Sequence, residues 1–329
     1  MKELEGIFSS IRDREAAYAV PAPLEEKSVG LDPKWRRKLV DWSYQVVDHY
    51  GYPREAVAVS MNILDRFSAN AGLNRKLHQL AALATLHLAL KSGGNDVRLQ
   101  DLVALSRGYF SADQVKFTEK KVLEAVGWRV HPTMASAIIP YFSLLLPESA
   151  GIAPELPQMI SDYAIFLTEL AVSDSSLVAY DELSIALAAT MISLLNHPVT
   201  DHQTHAFVTN SASLAGINVN APSVVACQHK LHTLSLVYHN EEEEANMASS
   251  TPLSTPTQQY MRDSVSPVGV ESFQFSPTAE PESASSLKRQ RVSSIGDAKD
   301  LTTLSDCILN AQPSLNANPH QPSDDMIHY

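Results

Sequence analysis

Cysteine is scarce in this sequence, with Cys227 and Cys307 the only two in 329 residues. Two thiols build neither a disulfide framework nor a four-thiolate zinc site, and they predict a reducing, intracellular setting. Long apolar runs are missing as well. No window reaches the ~20 apolar residues that span a bilayer, and Met1-Lys2-Glu3-Leu4-Glu5 lacks the apolar core of a signal peptide. Glycine is low, at 12 against 19 prolines, and forms no phosphate-cradling loop. Positive charge is in deficit: 25 Lys+Arg against 37 Asp+Glu leave a net charge of −12. That balance argues against nucleic acid and membrane surfaces as partners. No Ser-His-Asp pattern and no paired-carboxylate motif is present, so neither a catalytic centre nor a cofactor is expected. His197, His202 and His205 with Asp201, and His229 with His232, have no further ligand at zinc-finger spacing. They read as solvated helix faces, and no metal is expected.

What is present divides near residue 240. Residues 241–329 hold 13 acidic against 5 basic residues, with 15 Ser, 6 Thr and 8 Pro. A segment so poor in periodic apolar residues cannot offset its ordering entropy, and it reads as a disordered acidic tail. Thr251, Thr255, Ser266 and Ser276 each precede a proline there and are candidate phosphorylation sites, without the Lys or Arg three residues on that would strengthen them. Residues 263–287 contain no Lys or Arg and are rich in Ser, Pro and Glu, a composition common in short-lived proteins. Lys288-Arg289-Gln290-Arg291 has the form of a nuclear import signal, consistent with a nuclear and cytoplasmic distribution.

Residues 1–240 read as helical nearly throughout. Glu3–Tyr18 carries Leu4, Phe8, Ile11 and Ala16 at helical spacing. Asp32-Pro33 is an N-cap followed by a proline at the first helical position, after which Trp35, Leu39, Trp42 and Val46 recur on one face. Pro53 opens a second such helix with Ala56, Ser60, Ile63 and Phe67. Ser111 and Gln114 make a capping box for a helix that stops at Gly127. Leu77–Leu90 is apolar on nearly every side, broken only by His78, Gln79, Thr85 and His87. A helix of that kind, too short for a bilayer, belongs at the centre of a helical domain. Leu183–Leu195 is a second one, and Ala84-Thr85-Leu86 superposes on Ala189-Thr190-Met191 at an offset of 105 residues. One central alanine-rich helix per ~100 residues suggests two similar helical domains in tandem.

These residues together resemble the cyclin box. Arg36-Arg37-Lys38-Leu39-Val40-Asp41-Trp42 is similar to its first helix, and Leu64-Asp65-Arg66-Phe67 to the end of its second. Lys76 to Lys91, with Gln79, Leu80, Ala84 and Ala89, resembles the third. Glu119 ahead of Val122-Leu123-Glu124 sits where the fifth carries its glutamate, and His131-Pro132-Thr133 is similar to the linker to a second box. Tyr163, Glu169-Leu170, Asp174 and Tyr180 resemble that second box. Arg36, Asp65, Leu80, Lys91 and Glu119 fall at the family's spacing across about 85 residues, independently of the hydrophobic pattern.

The resemblance implies an all-α fold of two tandem five-helix cyclin-box domains with a short N-terminal helix and a disordered C-terminal tail. The expected limits are 1–30 for the N-terminal helix and linker, 31–131 and 132–240 for the two boxes, and 241–329 for the tail. It implies a cyclin that performs no chemistry itself but binds and activates a cyclin-dependent Ser/Thr kinase in cell-cycle progression. Lys91 and Glu119 would bind the kinase, donating to and accepting from the backbone of its mobile helix. Arg36 and Asp65 would form an internal ion pair. Kinase substrates or inhibitors would be further partners, through a docking patch of Trp35, Leu39, Trp42 and Gln79. Lys38 in place of an apolar residue, and Gln45 where that patch keeps a carboxylate, predict weak recognition of Arg-x-Leu motifs. Ser92-Gly93-Gly94 replaces the acidic pair that follows the lysine in many cyclins. A non-catalytic cyclin-fold scaffold, or a transcription-associated cyclin-like protein, is the alternative.

Overall fold

The helix at residues 75–92 shows how the chain is built. In the computed structural model, which describes residues 2–20, 33–69, 71, 73–146 and 155–248, every residue from Leu77 to Leu90 is buried. Asn74 starts this helix by accepting from the Leu77 N–H at 2.9 Å, and its alanines let other helices close in on all sides. Eleven α-helices and one 3-10 turn, with no strand, make up the described residues. In chain order they are α1 (Lys2–Tyr18), α2 (Pro33–Tyr50), α3 (Glu55–Ser68), α4 (Arg75–Ser92), α5 (Leu99–Leu105), α6 (Ala112–Ala125), α7 (Ala135–Ser143), α8 (Leu156–Ser173), α9 (Glu182–Leu195), α10 (Asp201–Ala215) and α11 (Pro222–Ala248). None of the described helices is long and apolar enough to cross a membrane.

Two cores form. In the first, α4 packs against α2, α3, α5 and α6, and buries Leu39, Trp42, Phe67, Leu83 and Val122 among others. In the second, α9 takes the same central place among α7, α8, α10 and α11, with Ile139, Phe142, Leu187, Phe207 and Leu231 around it. The two aligned threonines play similar parts. Thr85 Oγ1 donates to the Ala82 carbonyl and Thr190 Oγ1 to that of Ala186, so each satisfies a hydroxyl inside an apolar helix. Five consecutive helices, α2–α6 and α7–α11, build each core, as the resemblance led one to expect.

Helix α1 belongs to the second core. Phe8 and Ile11 are buried there, and Phe8 stacks on Phe142 with ring centroids 5.0 Å apart. Ala16, expected on the apolar stripe, is exposed. The last turn of α10 ends at Gly216, whose φ of 63° is left-handed and whose Cα is covered by the Arg12 guanidinium of α1. A side chain there would meet both the backbone conformation and that guanidinium.

Some boundaries differ from expectation. Pro53 lies two residues before α3 and contributes its carbonyl to the Ala56 N–H at 3.1 Å, while Arg54 is the residue preceding the first turn. Helix α11 runs to Ala248, past the boundary placed at 240, because glutamate and alanine there are good helix formers. The Asp32 cap and the tail from 249 onward lie outside the described residues.

Candidate functional site

The last turn of α4 and the middle of α6 meet to make the site. Helix α4 continues to Ser92 and stops at Gly93-Gly94, where the Gly93 N–H donates to the Ala89 carbonyl and the Gly94 N–H to that of Lys91, so Lys91 stands in its last turn at the rim of the first core. Helix α6 is started by the expected capping box: the Ser111 N–H donates to Gln114 Oε1 at 2.8 Å and the Gln114 N–H to Ser111 Oγ at 3.2 Å. Eight residues after that cap, Glu119 faces α4.

Glu119 is almost fully buried, while the Lys91 side chain is 53% exposed. Lys91 Nζ lies 3.3 Å from Glu119 Oε1 and 3.4 Å from Oε2, a long and divided contact. The short one comes from inside the protein. His87 Nδ1 is 2.6 Å from Glu119 Oε1, and its ring is as buried as the carboxylate. Facing a carboxylate, Nδ1 must carry the proton and donate. Burial pushes the Glu119 carboxyl up, but the His87 hydrogen bond and charge, with those of Lys91, outweigh it and hold the group below its ordinary value. The site is an anion fixed from below and loosely covered from above by a half-exposed cation.

Arg36 and Asp65 also meet. Arg36 Nε donates to Asp65 Oδ1 at 3.1 Å and Nη2 to Oδ2 at 2.7 Å, with both side chains 2% exposed. The third guanidinium nitrogen, Nη1, donates to the Val172 carbonyl on α8, so the pair ties α2 and α3 to the second core. The four residues proposed for a docking patch do not make an open apolar surface. Leu39, Trp42 and Gln79 are buried, and only Trp35 is half-exposed, because this face of α2 is the one that packs on α4. Lys38 Nζ and Arg75 Cζ lie 5.9 and 5.1 Å from the Trp35 ring centroid, which makes the exposed remainder cationic. Gln45 is buried too. Thr251, Thr255, Ser266 and Ser276 lie outside the described residues. Of the histidines, His202, His205, His229 and His232 are exposed and His197 is half-buried beside Tyr163. Among the described residues no three His, Cys, Asp or Glu side chains gather as a metal site would require.

Several residues carry weight that the sequence alone did not reveal. His87 was visible only as an interruption of an apolar helix. Its position one turn before Lys91 was the signal that it shares that lysine's face. Arg54 bridges Asp48 at 2.6 Å and Glu169 at 2.8 Å, and so joins the loop before α3 to α8. Arg66 donates to the Arg129 carbonyl at 2.8 Å and the Val126 carbonyl at 3.1 Å, which fixes the chain leaving α6. Glu15 accepts the Leu183 N–H at 2.9 Å, and Glu182 accepts the Ala135 N–H at 2.7 Å. Each carboxylate thus caps the start of another helix across a long sequence separation, which no local pattern reveals.

Comparison with known proteins bears on the same stretch. Residues 6–131, which include Lys91 and Glu119, match the family model described as cyclin, N-terminal domain. Cyclin-B2-2 of Arabidopsis thaliana is 27% identical over 188 residues, 56% of this chain and 42% of that protein. G2/mitotic-specific cyclin-2 of Antirrhinum majus is 28% identical over 164 residues, 48% of this chain and 35% of that one. Cyclin-D3-3 of Arabidopsis thaliana is 24% identical over 269 residues, 78% and 70% of the two chains. The chain thus spans less than half the length of the first two relatives. The X-ray structure of a viral cyclin from herpesvirus saimiri shares the fold, with a TM-score of 0.58 at 16% identity over 70% of this chain and 99% of that one. Residues 6–131 thus carry a cyclin N-terminal domain, the sequence relatives named above are cyclins, and the fold is shared with a viral cyclin.

Proposed function

We propose that this chain binds a cyclin-dependent Ser/Thr protein kinase and activates it, with Lys91 and Glu119 at the contact and cell-cycle progression as the process served. One observation carries the reading: a buried carboxylate from the middle of α6 and a half-exposed ammonium from the last turn of α4 stand together, with their mutual contact long at 3.3 Å. Such an ammonium can exchange the carboxylate for carbonyl groups of a partner at little cost, and the carboxylate can accept from partner amides. Held in this way, the partner's mobile helix completes the kinase's own Lys–Glu ion pair. The cyclin's part is to shift the population of kinase conformers, with no bond made or broken in its own side chains. Relatives named as G2/mitotic-specific support the cell-cycle role. The half-exposed Trp35 between two cations supports a substrate preference other than Arg-x-Leu. The basic run at 288–291 supports a nuclear as well as cytoplasmic distribution.

The test is affinity capture with the wild-type chain and with a Lys91→Ala/Glu119→Ala double variant of matched circular dichroism, followed by a kinase assay. Wild type should recover a kinase and its activity, and the variant neither. Equal recovery by both would move the contact elsewhere. Recovery by neither would favour the scaffold reading.

A further inference from the structure

The Glu119 carboxylate has two donors on α4, and they differ in kind. His87 is inside, rigid, and 2.6 Å from Oε1; Lys91 is outside, half-exposed, and no nearer than 3.3 Å to either oxygen. A buried carboxylate that loses its only cation is strongly penalised, because nothing then compensates its desolvation. If Lys91 were the sole donor, turning it towards a partner would strand Glu119. With His87 holding Oε1, that cost is removed. The carboxylate keeps a charge-assisted bond of its own, its rotamer is fixed, and Oε2 is left for an incoming N–H.

We propose that His87 is a positioning residue for partner binding: by anchoring Glu119 Oε1 from within the core it frees Lys91 to leave the pair and aims Oε2 outward. The proposal rests on the kinase-binding reading of Lys91 and Glu119, since it says how that pair is kept ready. His87 itself touches no partner. Among the described residues, the groups that face the carboxylate are His87 and Lys91, both from α4, and its own helix α6 adds no cation to them. Without His87, Lys91 is the charged donor that remains, and the two close into a tighter pair.

Two substitutions separate positioning from packing. His87→Leu keeps an apolar body in an apolar core and removes the donor. His87→Asn shortens the side chain but places an amide N–H where Nδ1–H stands. The first readout needs no kinase: acylation of Lys91 by an N-hydroxysuccinimide acetate, followed by mass spectrometry on the full chain. His87→Leu should slow Lys91 acylation by about threefold or more as the ammonium is drawn onto Glu119, and His87→Asn should restore it. The second readout is affinity for the kinase recovered by wild type, expected to fall about tenfold in His87→Leu and to return towards wild type in His87→Asn. Unchanged Lys91 reactivity in His87→Leu would overturn the proposal. Equal loss in both variants would also overturn it, because volume rather than donation would then be what matters. Should wild type recover no kinase, the functional reading falls while the acylation comparison still decides the role of His87.

Discussion

Arg36 and Asp65 form a two-point ion pair in which neither side chain sees water, and Arg36 adds a third bond to the Val172 carbonyl of the other core. Removing one partner of such a pair leaves an uncompensated charge inside the protein. Arg36→Ala should therefore cost about 3–5 kcal/mol. Arg36→Lys keeps the charge but not the fork, and should cost about 2 kcal/mol. Urea midpoints at unchanged slope would measure both. A cost under about 1 kcal/mol for Arg36→Ala would show that the pair does not fix the fold.

The seat of α1 should depend on pH. Burial, the largest cause, pushes the Glu15 carboxyl up to about 7 and that of Glu182 up to about 8; Asp181 is a like-charged neighbour of both, and Glu15 is a further one for Glu182. Both groups hold their protons more tightly in the folded chain than in the unfolded one. The contribution of the two groups is complete below about pH 4.5 and is lost as pH climbs through 7 and then 8. Amide exchange in α1, corrected for its intrinsic pH dependence, should accelerate between about pH 6 and pH 8.5. Glu15→Gln keeps an acceptor for the Leu183 N–H without the charge and should flatten that profile.

Glu119 should behave in the opposite sense. Its carboxyl lies below the ordinary value near 4.5, so what it contributes is present above that value and is lost as the solution is acidified through its own lower one. Glu119→Gln should be less sensitive to acid than wild type when unfolding is followed between about pH 5 and pH 3. An identical acid limb in the two proteins would contradict that sign.

Trp128 follows Gly127 in a second left-handed position, with φ of 62°, and its side chain is 69% exposed. A bulky side chain pays about 1 kcal/mol or more for that backbone and gains little burial in return. Trp128→Gly should leave the melting temperature unchanged or raise it by a few degrees. A clear drop would mean that the indole has a packing role its exposure conceals.

Ser111→Ala should cost about 1 kcal/mol through loss of the capping box. The first turn of α6 should show it as faster amide exchange at Gln114 and Val115. Glu119 lies a further turn along the same helix, so partner affinity should change little if the damage stays at the end.

What could be read from the sequence were the features with a local code. The capping box at Ser111, the all-round apolar character of Leu77–Leu90 and the stop at Gly127 each follow from residues within one or two turns. Arg36, Asp65, Lys91 and Glu119 were legible through family spacing alone. The partner of α1 was not, because the stripe of Phe8 and Ile11 states only that something apolar covers it. The burial of Leu39, Trp42 and Gln79 in the patch from Trp35 to Gln79 was not legible for a related reason. Trp42 and Leu39 satisfy a surface motif and a core motif equally, and the packing of α2 on α4 decides for the core. His87 was hidden because a titratable side chain on a buried helix acquires its meaning from a residue 32 positions away.

The attachment of α1 to the second core has a consequence in time. Phe8 rests on Phe142, and Phe142 meets Phe207 edge-on at 6.5 Å. A ribosome adding ~5–20 residues per second needs on the order of 10–40 s to travel from Tyr18 to Phe207. Throughout that interval the first core can assemble and close, while α1 waits with its apolar face open to whatever is nearby. An element early in the chain is thus among the late ones to be buried. A nascent chain halted between the two cores would display a helix that chaperones recognise by the same Phe8 and Ile11 that later disappear from view.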